Sequence, residues 1–223
     1  MPTIERLEFE LPLELWSVEL DGPLTTQELA RLSTDEHARA SRFVFDRDRF
    51  RYLNAHVALR ALLSRRTGVP AVELVFRTGA FGKPSLVVET PCAFNLSDSA
   101  DLALVLLGGE GDECEIGVDL EVLRRVPDAT ALAQQNFTAD ECRELERMPA
   151  DERDLAFLRG WTRKEACLKA LGSGLSIAPE TFETGLMPNP RQVFIPTAAG
   201  VREVNVRSLA ENNRFVGAVA QLL

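Results

Sequence analysis

Lysine is scarce. Of 25 basic residues only Lys83, Lys164 and Lys169 are not arginine. Arginine offers a planar fork and lysine a compact ammonium, so three isolated lysines either mark places that need a point charge or follow from codon usage. Groupings of cysteine and histidine are missing too. Cys92, Cys114, Cys142 and Cys167 lie 22, 28 and 25 residues apart, with no C-x-x-C pair and no histidine cluster. Zinc is therefore not expected, a chain of this size needs no disulfide framework, and four reduced core thiols are the expectation. No apolar run reaches the length of a membrane span, the strongest being LALVLLGG. The opening MPTIERLEFE lacks the basic-then-apolar pattern of a signal peptide. These absences point to a cytoplasmic protein with no membrane association.

What is present suits a soluble globular protein. The 223 residues are 45% hydrophobic and 26% charged, enough for one ordinary domain or two small ones. A formal charge of −9 argues against nucleic acid as a partner. The charge is unevenly spread: Arg39 to Arg66 holds eight arginines against Asp46 and Asp48. That stretch is either a solvated helix face or a docking surface for a polyanion or an acidic partner.

The pattern predicts a strand in LEFELPLELWSVEL, a turn at Asp21-Gly22-Pro23, and a short threonine-capped helix in TTQELARLS. One long helix is expected from about Thr34 to Arg66, closed by Gly68 and Pro70. Strands follow near Val72–Arg77, Pro84–Val88, Cys92–Leu96 and Leu102–Leu107. Thr138 and Glu141 fit a capping box opening another helix. A second long helix covers DERDLAFLRGWTRKEACLKALGSGL and ends at Gly172.

The chemistry concentrates in IGVDLEVL, Ile116 to Leu123. Side chains alternate along a strand, so Asp119 and Glu121 share the face opposite Val118, Leu120 and Val122. At roughly 6–7 Å the two carboxylates repel by about 2–3 kcal/mol, which water would relieve and a cation would use. On the second long helix Trp161, Glu165 and Lys169 recur at four-residue spacing and share a face. Taken alone, that is an ordinary surface Glu–Lys pair. With Asp119 and Glu121 it supplies a third carboxylate and an ammonium. Three carboxylates without cysteine or histidine are ligands for a hard ion, Mg²⁺ above all, and so point to transfer at phosphorus. FGKPSL, with Gly82, Lys83 and Pro84, reads as a hairpin turn or a close approach for a nucleotide. FNLSDS reads as a turn cap or as donors to phosphate.

The chain also repeats itself. YLNAHVALRAL (52–62) lies over WTRKEACLKAL (161–171), and FRTG (76–79) over FETG (182–185). Two matches in order suggest duplicated halves, residues 1–109 and 110–223, with a junction near Gly108–Asp112. The expected fold class is α+β: two pseudo-symmetric halves with a ligand cleft at their interface.

In this order, FGKPSL, FNLSDS, GVDLE and WTRKEACLKALGSGL resemble the 4'-phosphopantetheinyl transferases, specifically the larger type typified by the activator of surfactin synthetase. The resemblance implies an enzyme that moves the phosphopantetheine arm of coenzyme A, its substrate, onto a serine of an apo acyl or peptidyl carrier protein. Adenosine 3',5'-bisphosphate would be released. The resemblance also makes each half a long helix on a small antiparallel sheet, and it places Mg²⁺ on Asp119, Glu121 and Glu165. Glu165, or a water held by the acids, would be the base, and Lys169 would stabilise the pyrophosphate. Gly82, Lys83 and Pro84 would line the adenine and ribose side, Ser97 would donate to phosphate, and Arg39 and Arg51 would face the nucleotide phosphates. A duplicated architecture implies a pseudo-dimer that works as a monomer. One residue departs from the family pattern: Asp98 stands where a histidine usually meets phosphate, and Asp98→His should tighten coenzyme A. Tyr52 stands where relatives carry a small hydroxyl residue. His56, aligned by the repeat with Glu165, is expected to pack rather than catalyse. The alternative is a coenzyme A-binding protein that has lost transfer.

Overall fold

The computed structural model describes residues 2–9, 13–88, 92–108, 115–210 and 212–223, the side chain of Leu175 excepted. Cys114 and most of the expected junction lie outside the described residues. The chain divides into two compact units, Met1–Arg77 with Pro84–Glu113, and Thr78–Lys83 with Cys114–Leu223.

In the first unit β1 (Ile4–Leu7) and β2 (Glu14–Glu19) pair antiparallel, Ile4 opposite Val18, and sit in a sheet of order β1-β2-β6-β5. Here β5 is Phe94–Ser99 and β6 is Leu102–Leu107. Of the strand expected over Leu7–Leu20, β2 occupies the later part, while β1 precedes it and shares only Leu7. The expected helix over 34–66 is two: α2 (Thr34–Ala40) and α3 (Asp46–Thr67). Ser33 caps α2 in a box with Glu36, and the helix stops at Ser41. Residues 41–45 carry no glycine or proline to announce the break. Short α1 (Thr26–Leu29) has the expected threonine cap, Thr25 with Glu28. Gly68, at φ 73°, ends α3 in the left-handed conformation that favours glycine. Ala55, Ala58, Leu59, Leu62 and Leu63 of α3 pack on Val18, Ala103, Val105 and Leu107 of the sheet. β3 (Val75–Thr78) and β4 (Pro84–Val87) form a separate two-stranded ribbon.

The second unit opens with β7 (Ile116–Val122), which joins a sheet of order β7-β10-β9-β8. The other strands are β8 (Arg191–Thr197), β9 (Gly200–Ser208) and β10 (Phe215–Leu222), all antiparallel to their neighbours. Helices α4 (Ala129–Asn136) and α5 (Ala139–Arg147) precede the long α6 (Arg153–Leu171), which Gly172 ends at φ 64°. Ala166, Cys167 and Ala170 of α6 lie on Val193, Ile195, Val204, Val206, Ala218 and Ala220. Each unit thus sets one long helix on a small antiparallel sheet, an α+β architecture.

Candidate active site

Gly117 decides how β7 meets α6. A Cβ built on it would lie 2.1 Å from the Ala166 carbonyl oxygen and 2.4 Å from the Ala170 nitrogen. No L side chain fits there. In the antiparallel register Gly117 faces Ala220, Asp119 faces Ala218 and Glu121 faces Val216. Paired residues share a sheet face, and Ala218 and Ala220 pack under α6. Gly117, Asp119 and Glu121 therefore all face the helix. The two carboxylates do share one side, as alternation requires, but that side is covered by α6 and Asp119 is buried.

The helix answers with charge. Lys169 Nζ donates to Asp119 Oδ1 at 2.7 Å. Burial, and then the charges of Asp119 and Glu121, push the Glu165 carboxyl above its usual range, with Lys169 pulling the other way. Arg124 stands 3.7 Å from Glu121. Trp161, one turn before Glu165, is half-buried against the Phe137–Phe157 cluster.

These donors fit a hard divalent ion in chemistry: three carboxylates in one another's field, with no sulfur or imidazole among them. Their present placement is a different matter. Among the described residues no group of three or more His, Cys, Asp or Glu side chains is arranged to hold a metal. Of the three expected ligands, Asp119 is paired with Lys169 and Glu121 has Arg124 at 3.7 Å.

The turn before β4 braces the same two elements. Gly82, at φ 89°, lets Gly82 N–H and Gly79 N–H close the turn onto Gly79 O and Lys83 O. Lys83 Nζ then donates to Ile116 O at the start of β7 and to Ala170 O near the end of α6, both at 3.0 Å. Lys83, expected on the adenine and ribose side of coenzyme A, thus clasps the β7–α6 junction with its ammonium.

The remaining expected residues belong to the first unit. Arg51 forms a bidentate pair with Asp21, at 2.6 and 2.8 Å, which holds the Asp21 carboxyl below its usual range. Arg39 lies over the Tyr52 ring at 5.6 Å. Ser97 and Asp98 are neighbours on β5 and so face opposite ways, Ser97 buried and Asp98 exposed.

Two buried clusters went unseen in the sequence. Glu36 accepts from His56 Nδ1 at 2.9 Å and from Arg60 Nε at 2.7 Å. Its carboxyl would be raised by burial, but the His56 hydrogen bond, the Ser33 N–H and the Arg60 charge outweigh that and bring it to about 2. The signal for it was the Ser33-x-x-Glu36 box. Glu141, read only as a cap, is fully buried: it takes Lys164 Nζ at 2.8 Å and the N–H groups of Thr138, Thr184 and Gly185. Burial alone would raise it; Lys164 and these donors hold it below the usual carboxylate range.

Comparison with known proteins identifies the family. Residues 115–219 match the 4'-phosphopantetheinyl transferase superfamily, and residues 23–109 match the N-terminal region of 4'-phosphopantetheinyl transferases. A Nostoc protein, 4'-phosphopantetheinyl transferase HetI, is 38% identical over 181 residues, covering 79% of this chain and 75% of HetI. The Synechocystis protein slr0495, provisionally named a 4'-phosphopantetheinyl transferase, is 37% identical over 73% of this chain and 66% of its own length. 4'-Phosphopantetheinyl transferase Sfp of Bacillus subtilis is 26% identical over 78% of this chain and 77% of Sfp. The β7–α6 carboxylates and Lys169 lie within the first matched region, and the chain belongs to the 4'-phosphopantetheinyl transferase superfamily.

Proposed function

We propose that this chain transfers the 4'-phosphopantetheine arm of coenzyme A to a serine of an apo acyl or peptidyl carrier protein, releasing adenosine 3',5'-bisphosphate. The observation that carries the reading is the meeting of buried Asp119 and half-buried Glu121 with half-buried Glu165 and Lys169 across the Gly117 contact. Transfer forms a bond from the serine oxygen to the pantetheine-side phosphorus and breaks the bridging oxygen's bond to it. The serine proton must leave and the departing phosphate must be stabilised. Glu165, with its proton affinity raised by burial, suits acceptance of that proton, directly or through a water. Lys169 suits the developing charge on the departing phosphate, and Asp119 holds its ammonium in place. Mg²⁺ bound by Asp119, Glu121 and Glu165 would neutralise pyrophosphate charge.

Arg39, Arg51, Ser97 and Asp98, with Gly82, Lys83 and Pro84, are proposed contacts of coenzyme A, Lys83 along its stem while its ammonium holds the Ile116 and Ala170 carbonyls. Arg51 would exchange its Asp21 partner for phosphate, which makes Asp21→Asn a direct probe of coenzyme A affinity. The finer readings go with this one: the larger surfactin-synthetase-activating type, halves at 1–109 and 110–223 in a pseudo-dimeric chain acting as a monomer, and a cytoplasmic setting. The named relatives lend nothing to a coenzyme A-binding protein without transfer.

The test incubates protein, coenzyme A and Mg²⁺ with a panel of apo carriers and weighs the carriers by mass spectrometry. The expected result is a gain of one phosphopantetheine on the carrier serine. Asp119→Ala should lower the rate by about 10²-fold or more. Bisphosphate release without any modified carrier would instead indicate hydrolysis and remove the reading.

A further inference from the structure

We infer that the junction between α2 and α3 is the surface on which the carrier protein docks, through an amphipathic helix with an acidic rim. The inference rests on the transfer reading above and adds the place where the partner binds. Phe43, Val44, Phe45 and Phe50 are all exposed, Val44 at 87%, Phe45 at 66% and Phe50 at 51%. Four large apolar side chains within eight residues, facing solvent, cost solubility that a fold gains nothing from, and such clusters mark interaction surfaces. Phe43 rests on the Tyr52 ring at 5.3 Å, but Val44, Phe45 and Phe50 lie outside the core of the first unit, whose α3 packs on its sheet through Ala55, Ala58, Leu59, Leu62 and Leu63.

The rim states what covers them. Apart from Arg39 and Arg51, proposed for coenzyme A, the stretch sets Arg42, Arg47 and Arg49 against Asp46 and Asp48, a small positive excess in a chain of net charge −9. Arg47 and Arg49 reach Asp48 and Asp46 in exposed pairs. Pairs of that kind are worth little and exchange easily for a partner's carboxylates. Arg42, next to Phe43, is exposed as well. An apolar centre with an arginine rim complements a helix with an apolar stripe flanked by acids. The chain's net negative charge would oppose such a partner at long range, so a positive patch also biases the orientation of encounter. An anionic membrane would meet the same patch but be opposed by the remaining charge, which favours the compact acidic partner.

The experiment measures transfer by the full-length protein to a bacterial fatty-acid apo acyl carrier protein and to an excised apo peptidyl carrier domain. Val44→Ser/Phe45→Ser and Arg42→Glu are compared with wild type. We expect carrier KM to rise about tenfold or more in each variant, while kcat at saturating carrier stays within twofold and, in Val44→Ser/Phe45→Ser, so does the Kd for coenzyme A. The wild-type KM should rise with salt, and less steeply in Arg42→Glu. An unchanged carrier KM in both variants overturns the inference and leaves the transfer reading intact. So does a variant defect confined to binding phosphatidylglycerol vesicles, or to self-association in sedimentation. A wild-type protein that neither binds nor modifies either carrier overturns both.

Discussion

Asp119 can reach Lys169 only because the residue two before it has no side chain. Gly117 lets the β7 backbone lie against that of α6, and the strand's alternation then delivers Asp119 and Glu121 to the helix side. A methyl group there would press on main-chain atoms that cannot rotate away. Gly117→Ala should therefore cost about 3 kcal/mol, read as a fall in the urea midpoint. It should also separate Asp119 from Lys169, so that transfer falls further than the loss of folded protein explains. Neighbouring Cys167 makes a second residue-scale case. It is fully buried on α6, and burial pushes its thiol up to about 12. Native protein treated with iodoacetamide near pH 8 should leave Cys167 unmodified while half-buried Cys142 reacts first. Peptide mapping that found Cys167 labelled without unfolding would contradict the packing of α6 on its sheet.

Helix ends were legible in the sequence, and helix interiors were not. Thr25 with Glu28, Thr138 with Glu141, and Gly172 mark ends by local hydrogen-bonding chemistry, and the structure uses all of them. The break between α2 and α3 has no such marker, because arginine, phenylalanine and aspartate at 42–48 are each compatible with a helix. Nor could periodicity show that Arg60, Arg163 and Lys164 are buried, since a charged side chain is ordinarily read as solvated. Their partners come from other elements: Glu36 on α2, the Thr184 carbonyl, and Glu141 on α5. The carboxylate pair of the site was legible because alternation along a strand is rigid; its covering by α6 was not. The Glu141–Lys164 pair joins α5 to α6, so losing one partner strands a buried charge. Lys164→Met alone should cost about 3–5 kcal/mol, and Glu141→Leu/Lys164→Met should recover part of it, both read by chemical denaturation. Glu36 gives the first unit a pH dependence of known sign. Its folded carboxyl sits at about 2 against an ordinary 4.5, so its contribution is complete above about pH 4.5 and disappears as pH falls toward 2. The loss should be on the order of 2–3 kcal/mol, and Glu36→Gln should flatten the curve of urea midpoint against pH over that interval.

Over the whole molecule, three lysines make a sparse set of chemical reporters, and all three ammonium groups are engaged in the second unit. Lys164 is buried among Glu141, the Pro179 and Phe182 carbonyls and two aromatic rings. Lys83 braces β7 and α6, and Lys169 holds Asp119. Acylation requires an uncharged, accessible amine, so the environment of each lysine sets its rate. Brief treatment of native protein with an acetyl ester, followed by peptide mass spectrometry, should leave Lys164 unmodified. Lys83 and Lys169 should label slowly, and unfolding in guanidinium should bring all three to a common rate. Coenzyme A with Mg²⁺ discriminates further. If Lys169 meets the pyrophosphate as proposed, its labelling should fall with ligand concentration, whereas Lys83, already spent on Ile116 and Ala170 carbonyls, should change little. Protection of Lys83 with Lys169 unaffected would reverse those roles, moving the phosphate-facing ammonium from the helix to the turn.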